Sequence, residues 1–83
     1  YLASRKIRIN AISPGNVLFQ GSIWEKKLLQ DPKLIRDMLE KKVPLKKFVS
    51  VDDISEAVAF ISSPLSSSTT GQIISIDAGQ TIA

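Results

Sequence analysis

The feature of this sequence best suited to binding chemistry is Ser13-Pro14-Gly15, which directly follows an apolar run that ends at Ile12. Proline fixes the direction of the backbone, and glycine, which has no Cβ, lets a ligand approach the main chain closely. Such a turn beyond the carboxyl end of a strand is suited to binding a ligand through backbone groups. The alternative is an ordinary turn that only ends the strand, because turns of this composition are common.

Side chains able to catalyse a reaction are scarce. Cysteine and histidine are both absent, which excludes disulfides, thiol nucleophiles, histidine bases and the usual zinc sites, so no metal site is predicted. The carboxylates of Asp52, Asp53 and Glu56 are better explained as partners of the positive end of a helix dipole than as paired acids. Asp77 is interpreted as a loop cap. We therefore expect no catalytic residue in this chain.

The charge distribution argues against a nucleic-acid partner. The net charge of +3 comes from 11 basic and 8 acidic residues, with the basic excess in scattered pairs, and there are only one Trp, one Tyr and three Phe. A nucleic-acid-binding face would be denser and interleaved with aromatic residues. A solvated surface, or a basic rim that attracts an anionic cofactor or substrate, is favoured.

No membrane partner is predicted either. The sequence has no apolar stretch near the roughly 18 residues needed to cross a bilayer and no signal-peptide pattern, so we expect a cytoplasmic location.

Three helices are predicted from caps and periodicity. Ser22 and Asp31 are suited to cap two short helices, and Pro32 occupies the favoured first position of the second. Ser50 is suited to cap a third, with its hydroxyl accepting from the amide of Asp53. Apolar residues at i, i+3, i+4 and i+7 predict a buried stripe on this third helix: Ile54, Ala57, Val58 and Ile61. The expected bounds are 22–30, 31–41 and 50–62.

Two strands are predicted, at residues 6–13 and 72–77, because both segments are rich in isoleucine and are followed by glycine-containing turns. A strand, helices and a second strand form one crossover unit, so these strands should be parallel with a right-handed connection. Parallel strands are normally covered on both faces and extended by further strands. Because the chain opens at Tyr1 in the middle of an element, we expect an internal start and neighbours outside the 83 residues.

Four segments, in this order and spacing, resemble the short-chain dehydrogenase/reductase family: residues 7–17, 43–48, 52–61 and 70–79. The resemblance spans almost the whole chain. It implies an α/β fold, the C-terminal βαβ portion of a Rossmann-type doubly wound parallel sheet, with residues 1–83 as a C-terminal fragment of one domain. It also implies NAD or NADP as cofactor, a small-molecule substrate, and a homo-oligomer, either a dimer or a tetramer.

The resemblance implies an oxidoreductase that interconverts a hydroxyl and a carbonyl, with its Ser, Tyr and Lys catalytic set and its glycine-rich phosphate turn upstream of this portion. The fragment alone is then expected to be inactive. Tyr1 imitates the catalytic tyrosine only superficially, because Arg5 stands where the lysine would be and no room is left for the long helix that carries the pair. The alternative function is a non-catalytic module derived from this family that self-associates through its sheet edge and apolar faces.

Four residues of the turn are implied to bind the cofactor: Pro14, Gly15, Asn16 and Val17. The backbone of Val17 would hydrogen-bond the nicotinamide carboxamide. Many family members place a threonine five residues after the proline, whereas this chain has Phe19, so that hydroxyl contact is lost. Backbone amides and Gln20 could compensate, or the cofactor could lie differently. Phe19 itself would then pack over the ring or line the substrate pocket.

Residues 18–42 correspond to the lid that covers the substrate in this family, so Phe19 and Trp24 are candidate substrate contacts. The alternative for Trp24 is core packing, which is common for an aromatic residue on an amphipathic helix. The final strand departs from the family at Ala78, where a glycine usually follows the aspartate.

Overall fold

A computed structural model describes residues 2–82, which contain a pair of parallel strands linked by helices. In β1 and β4, Ala11 lies opposite Ile73 and Pro14 opposite Ile76. The predicted α/β fold with a parallel pair is confirmed. The elements in chain order are β1 Ala11–Pro14, β2 Val17–Leu18, α1 Ile23–Gln30, α2 Pro32–Lys42, β3 Val49–Ser50, α3 Val51–Ser62 and β4 Ile73–Ile76. Short 3-10 helices cover Leu2–Arg5, Pro64–Ser66 and Gln80–Ile82.

β1 is shorter than the predicted strand at residues 6–13, because it begins only where β4 can pair with it. Upstream of Ala11 the chain is held by the loop that precedes β4: the Ile9 amide donates to Thr70 Oγ1 at 3.1 Å, and the Gly71 amide donates to the Ile9 carbonyl at 2.7 Å. Lys6 has a φ of 58°, which is incompatible with a strand. Of the predicted strand at residues 6–13, only residues 11–13 therefore pair with β4.

The helices begin at the residues that their caps indicate. Ser22 Oγ accepts from the Glu25 amide at 3.1 Å, and Asp31 Oδ1 accepts from the Leu34 amide at 3.1 Å. A full capping box opens α3, where Asp53 N donates to Ser50 Oγ at 3.0 Å and Ser50 N donates to Asp53 Oδ2 at 2.9 Å. Hydrogen bonding of the Asp53 carboxylate with the Ser50 amide, and then with the Ser50 side chain, holds the pKa of Asp53 below its ordinary value.

A second, short pair of parallel strands flanks the segment that contains α1 and α2. Val17 lies opposite Val49 and Leu18 opposite Ser50, which joins β2 to β3. The sequence pattern did not predict this pair. The helices α1 and α2 lie between β2 and β3 in the chain. Pairing of these two strands therefore holds the start and the end of the helical segment close together.

The apolar surface of the chain is only partly covered. Among residues 4–81, the buried apolar side chains are Ile35, Val43 and Val49. The accessible area is 6286 Å², whereas a folded monomer of 9.1 kDa exposes about 4,900 Å². Of the stripe predicted to be buried on α3, Ile54, Ala57 and Ile61 are largely but not fully covered, and Val58 is 46% exposed. Within the described residues no further layer packs on that face, so it is available to another part of a larger fold or to a partner.

Candidate functional site

The turn after β1 lies against the end of β4. The Gly15 amide donates to the Ile76 carbonyl at 2.9 Å. A Cβ at Gly15 would lie 2.7 Å from Asp77 Cβ and 2.8 Å from Asp77 Cα, closer than real Cβ contacts. Glycine is therefore required here by the neighbouring strand, in addition to any role in letting a ligand approach. The sequence pattern predicted a glycine-containing turn at this position but did not predict the close contact with Asp77.

Backbone groups of Val17 are directed to the open edge of β2. The Asn16 carbonyl accepts from the Val49 amide at 3.0 Å, so Asn16 faces β3. Successive residues of a strand direct their N–H and C=O groups to opposite edges, which turns those of Val17 away from β3. One donor and one acceptor on adjacent atoms can receive a primary amide, which itself offers one acceptor and a pair of donors.

Phe19 shares a shallow apolar pocket with the turn. This pocket, of about 320 Å³, is lined by Pro14, Val17, Phe19, Val51, Ile54 and Ser55. Phe19 is 51% exposed, and its amide donates to Ser22 Oγ at 3.3 Å, which ties its backbone to the start of α1. The structure thus brings Phe19 together with two of the four predicted turn residues. The contribution of α3 was missed, because its apolar positions were interpreted as a buried stripe and not as part of a ligand pocket.

Trp24 lies in a different cavity from Phe19. Its ring packs against Phe48 with 5.5 Å between centroids, and Lys27 Nζ lies 4.7 Å from the ring centroid. Trp24 also lines a cleft of about 600 Å³ between α1 and α2, together with Lys27, Leu34 and Met38 among others. Trp24 therefore connects α1 to the segment before β3. The two aromatic residues proposed for the lid do not line one pocket.

Asp77 caps the loop that follows β4. Its Oδ1 accepts from the Gly79 amide at 2.9 Å, and its Oδ2 accepts from the Thr81 amide at 3.0 Å and from the Thr81 hydroxyl. The hydroxyl of Thr81, followed by the backbone amides, holds the pKa of Asp77 below its ordinary value. The carboxylate is fully engaged in local hydrogen bonds, as expected of a loop cap.

Other kinds of site find no support in the described part of the chain. Residues 2–82 contain no group of three or more acidic residues placed to hold a metal ion. None of their helices has the length and apolarity needed to span a bilayer. Tyr1, considered above as a false catalytic lead, lies outside the described residues.

A family model described as enoyl-(acyl carrier protein) reductase matches residues 1–81. The chain belongs to the short-chain dehydrogenase/reductase family. It is 37% identical over 79 residues to isoepoxydon dehydrogenase of Aspergillus clavatus, covering 95% of this chain and 30% of that protein. It is 36% identical over 78 residues to carbonyl reductase [NADPH] 2 of Sus scrofa, covering 94% of this chain and 30% of that protein. The chain thus spans about 30% of the length of these relatives, and the family is one of oxidoreductases.

Solved structures of short-chain dehydrogenase/reductase proteins share the fold. The Cj0485 dehydrogenase superimposes with a TM-score of 0.82 at 32% identity, over 99% of this chain and 32% of that one. YwfH, an NADPH-dependent reductase involved in bacilysin biosynthesis, gives a TM-score of 0.78 at 27% identity, over 95% and 32% of the two chains. Other members of the fold have been solved with NADP or NADH bound, and NAD or NADP is the cofactor of the family. The predicted Rossmann-type fold is confirmed.

Proposed function

We propose that the intact protein is an NAD(P)-dependent oxidoreductase that interconverts a hydroxyl and a carbonyl on a small molecule, and that this chain forms the nicotinamide side of its site. The observation that carries the proposal is the outward direction of the Val17 backbone groups beside the apolar pocket of Pro14 and Phe19. An apolar wall next to one donor and one acceptor suits a flat ring that bears a carboxamide.

Each turn residue has a distinct part in this proposal. The Val17 backbone pairs with the carboxamide, and Pro14 presents its ring to one side of the nicotinamide. Gly15 and Asn16 hold the turn by their bonds to Ile76 and Val49. Phe19 packs beside the ring and replaces the usual hydroxyl contact with an apolar one. The bound cofactor supplies the hydride chemistry, and these four residues with Phe19 orient the ring and exclude water from it.

Residues 18–42 act as the lid of the proposed enzyme. Phe19, at the base of the lid, is the residue placed to touch both ring and substrate, since it shares a pocket with Pro14 and Val17. Trp24 supports the lid through Phe48 and borders the cleft between α1 and α2, into which a small-molecule substrate extends. The proton-transferring groups lie outside this chain, so the 83 residues alone are inactive.

The proposal is tested by comparing the intact protein with the 83-residue chain. Titration of the intact protein with NADPH and NADH, followed by fluorescence, should show binding of one or both, and a panel of carbonyl compounds should reveal turnover. The isolated chain should give no turnover. Turnover by the isolated chain would show that catalytic groups lie within it. Absence of any dinucleotide binding by the intact protein contradicts the proposal itself.

A second function, self-association, is favoured by the uncovered apolar surface. Ile73 on β4 is 76% exposed and Leu65 is 83% exposed, although both are large apolar side chains. In the intact protein, exposed apolar side chains such as Ile73 and Leu65 would join subunits into a homo-oligomer, a dimer or tetramer. Light scattering of wild type and Ile73→Lys tests it, with Gln72→Lys as a control that adds the same charge at a polar neighbour. A monodisperse wild-type monomer at high concentration contradicts self-association.

The cytoplasmic location stays a prediction from the sequence.

A further inference from the structure

We propose that the loop Asp77–Gly79 is a positioning element that sets the end of the lid, where α2 leads into Pro44, relative to the cofactor-binding turn. This inference rests on the proposed function, since it concerns the same site. It goes further in making lid position depend on the nicotinamide turn, through a loop that contributes no group to the chemistry.

One side of this loop fits against the cofactor-binding turn. Asp77 Cα and Cβ occupy the space that a side chain at residue 15 would need, with 2.8 and 2.7 Å to an added Cβ. The amide of Gly15 is bonded to the carbonyl of Ile76, directly before the loop. The turn and the start of the loop are therefore in close backbone contact, with no side chain between them to absorb a displacement.

The other side of the loop fits against the end of the lid. A Cβ at Gly79 would lie 3.0 Å from Pro44 Cβ and 3.1 Å from Pro44 Cγ. The Leu45 amide also donates to the Ala78 carbonyl at 3.0 Å. Pro44 follows Val43, the residue that ends α2 and is only 3% exposed. Hence the loop contacts the chain where the lid leaves its last helix.

The loop is internally stiff, so a shift on one side reaches the other. Asp77 fixes it with bonds to Gly79 and Thr81. Ala78 and Gly79 both have left-handed backbone conformations, with φ of 56° and 88°. The lid end is equally defined, because the Lys46 amide donates to the Val43 carbonyl at 2.8 Å. Two rigid contacts on one short loop connect the cofactor-binding turn to α2.

The expected consequence is that dinucleotide binding orders the lid before any substrate arrives. In the intact protein, NADPH or NADH, whichever binds, should slow amide hydrogen exchange across Pro32–Lys42. Direct contact between Phe19 and the ring would also protect the lid, so the part played by the loop is isolated by variants at Gly79 and Pro44.

Gly79→Ala tests the lid contact, with Gly71→Ala as its matched control. Both glycines have positive φ, 88° and 72°, but an added Cβ meets nothing within 4 Å at Gly71. Backbone strain is therefore common to both variants, and contact with Pro44 is specific to Gly79. We expect Gly79→Ala to abolish the dinucleotide-dependent protection of α2. It should also raise KM about tenfold for the carbonyl compound that the wild type reduces fastest.

Pro44→Gly completes a double-mutant cycle. It removes the ring from the lid side, so it should reduce the protection of α2 on its own. Gly79→Ala should add no more than about a twofold increase in KM in that background, since the added Cβ then has room. If Gly79→Ala fails to fold, the exchange pattern of Pro44→Gly alone decides.

Two results separate failure of the inference from failure of the proposed function. If Gly79→Ala matches Gly71→Ala in KM and in protection of α2, or if Pro44→Gly keeps full protection, the positioning role is wrong and the enzyme assignment stands. If wild-type intact protein binds neither dinucleotide, the proposed function itself fails.

Discussion

The two ends of the β1–β4 pair are held by different kinds of contact. At the amino end, the Arg8 guanidinium donates to the carbonyls of Thr69 at 2.8 Å, Ile61 at 3.0 Å and Ser63 at 3.3 Å. Asn10 adds bonds in both directions, from Nδ2 to the Thr69 carbonyl and from the Gln72 amide to Oδ1, each at 3.0 Å. A positive charge thus lies at the negative end of α3, with its donors engaged by the protein.

At the carboxyl end, the contacts that hold the turn are made by the main chain. Gly15 and Asn16 use backbone bonds and close approach, and the outward groups of Val17 are left for a ligand. The difference shows where a ligand can bind. At the amino end, the side chains of Arg8 and Asn10 form hydrogen bonds within the protein, whereas at the carboxyl end the N–H and C=O groups of Val17 stay available. Ligands of open α/β sheets bind at the carboxyl ends of the strands for the same reason.

Gly15→Ala should have the largest effect and should disturb both stability and binding. Its Cβ would overlap Asp77 backbone that has nowhere to move, so we expect a loss of about 3 kcal/mol in the free energy of unfolding. The dinucleotide Kd should rise at least about tenfold, because the turn shifts. Denaturant unfolding and fluorescence titration of the intact protein measure the two effects. Gly71→Ala is the control, and a variant that matches it in both measurements contradicts the close contact.

Arg8→Ala should disturb stability alone. Removing the guanidinium leaves partly buried carbonyls at the end of α3 without their donor, which should cost about 2 kcal/mol. Because these contacts lie at the opposite end of the strands from Val17, the dinucleotide Kd should stay within about twofold of wild type. The exposed Arg5 provides a control of equal charge change. A tenfold weaker dinucleotide affinity in Arg8→Ala would show that the two ends are not independent.

Ala78→Gly should have a smaller effect of opposite sign. Ala78 has a φ of 56°, a conformation in which its Cβ is strained and glycine is not. We expect the free energy of unfolding to rise by about 0.5 to 1 kcal/mol, because relieved strain exceeds the added freedom of the unfolded chain. Ala57→Gly, inside α3, should instead lower it by about 1 kcal/mol. An unchanged or lower stability of Ala78→Gly would mean that the left-handed conformation carries no strain.

Local features and the parallel pairing of the two isoleucine-rich strands were predictable from the sequence, and the other long-range contacts were not. The capping of α3 by Ser50 and Asp53 and the start of α2 at Pro32 depend on residues within one helical turn, and both agree with the sequence pattern. The pairing of β2 with β3 joins residues more than 30 positions apart, and so do the hydrogen bonds from Arg8 to the end of α3. Hydrophobic periodicity carries no information about contacts at such a separation.

The candidate site shows the same division. The position of the turn at Pro14 follows from composition, since an apolar strand must end at Pro-Gly. The fit of Gly15 against Asp77 and the pocket shared by Phe19 and Ile54 depend on how distant segments pack. The only sequence signal for the contact between Gly15 and Asp77 was that the second isoleucine-rich strand is followed by Asp-Ala-Gly.

The pH dependence of Asp77 should be the smallest effect and belongs to the carboxyl end alone. Hydrogen bonds from Thr81 and Gly79 lower the folded-state pKa of this carboxyl, so its contribution is complete above the unfolded pKa of about 3.9 and is lost as pH falls through the lower folded value. Asp77→Asn should therefore melt below wild type at pH 7, and the gap should narrow in acid below about pH 4. The pKa of Asp53 is lowered as well, and taking the difference between the two proteins removes its contribution. Thermal melts at pH 7, 5, 4 and 3 measure the gap. A gap that stays constant down to pH 3 would show that the charge of Asp77 is irrelevant and that only its shape holds the loop against Gly15.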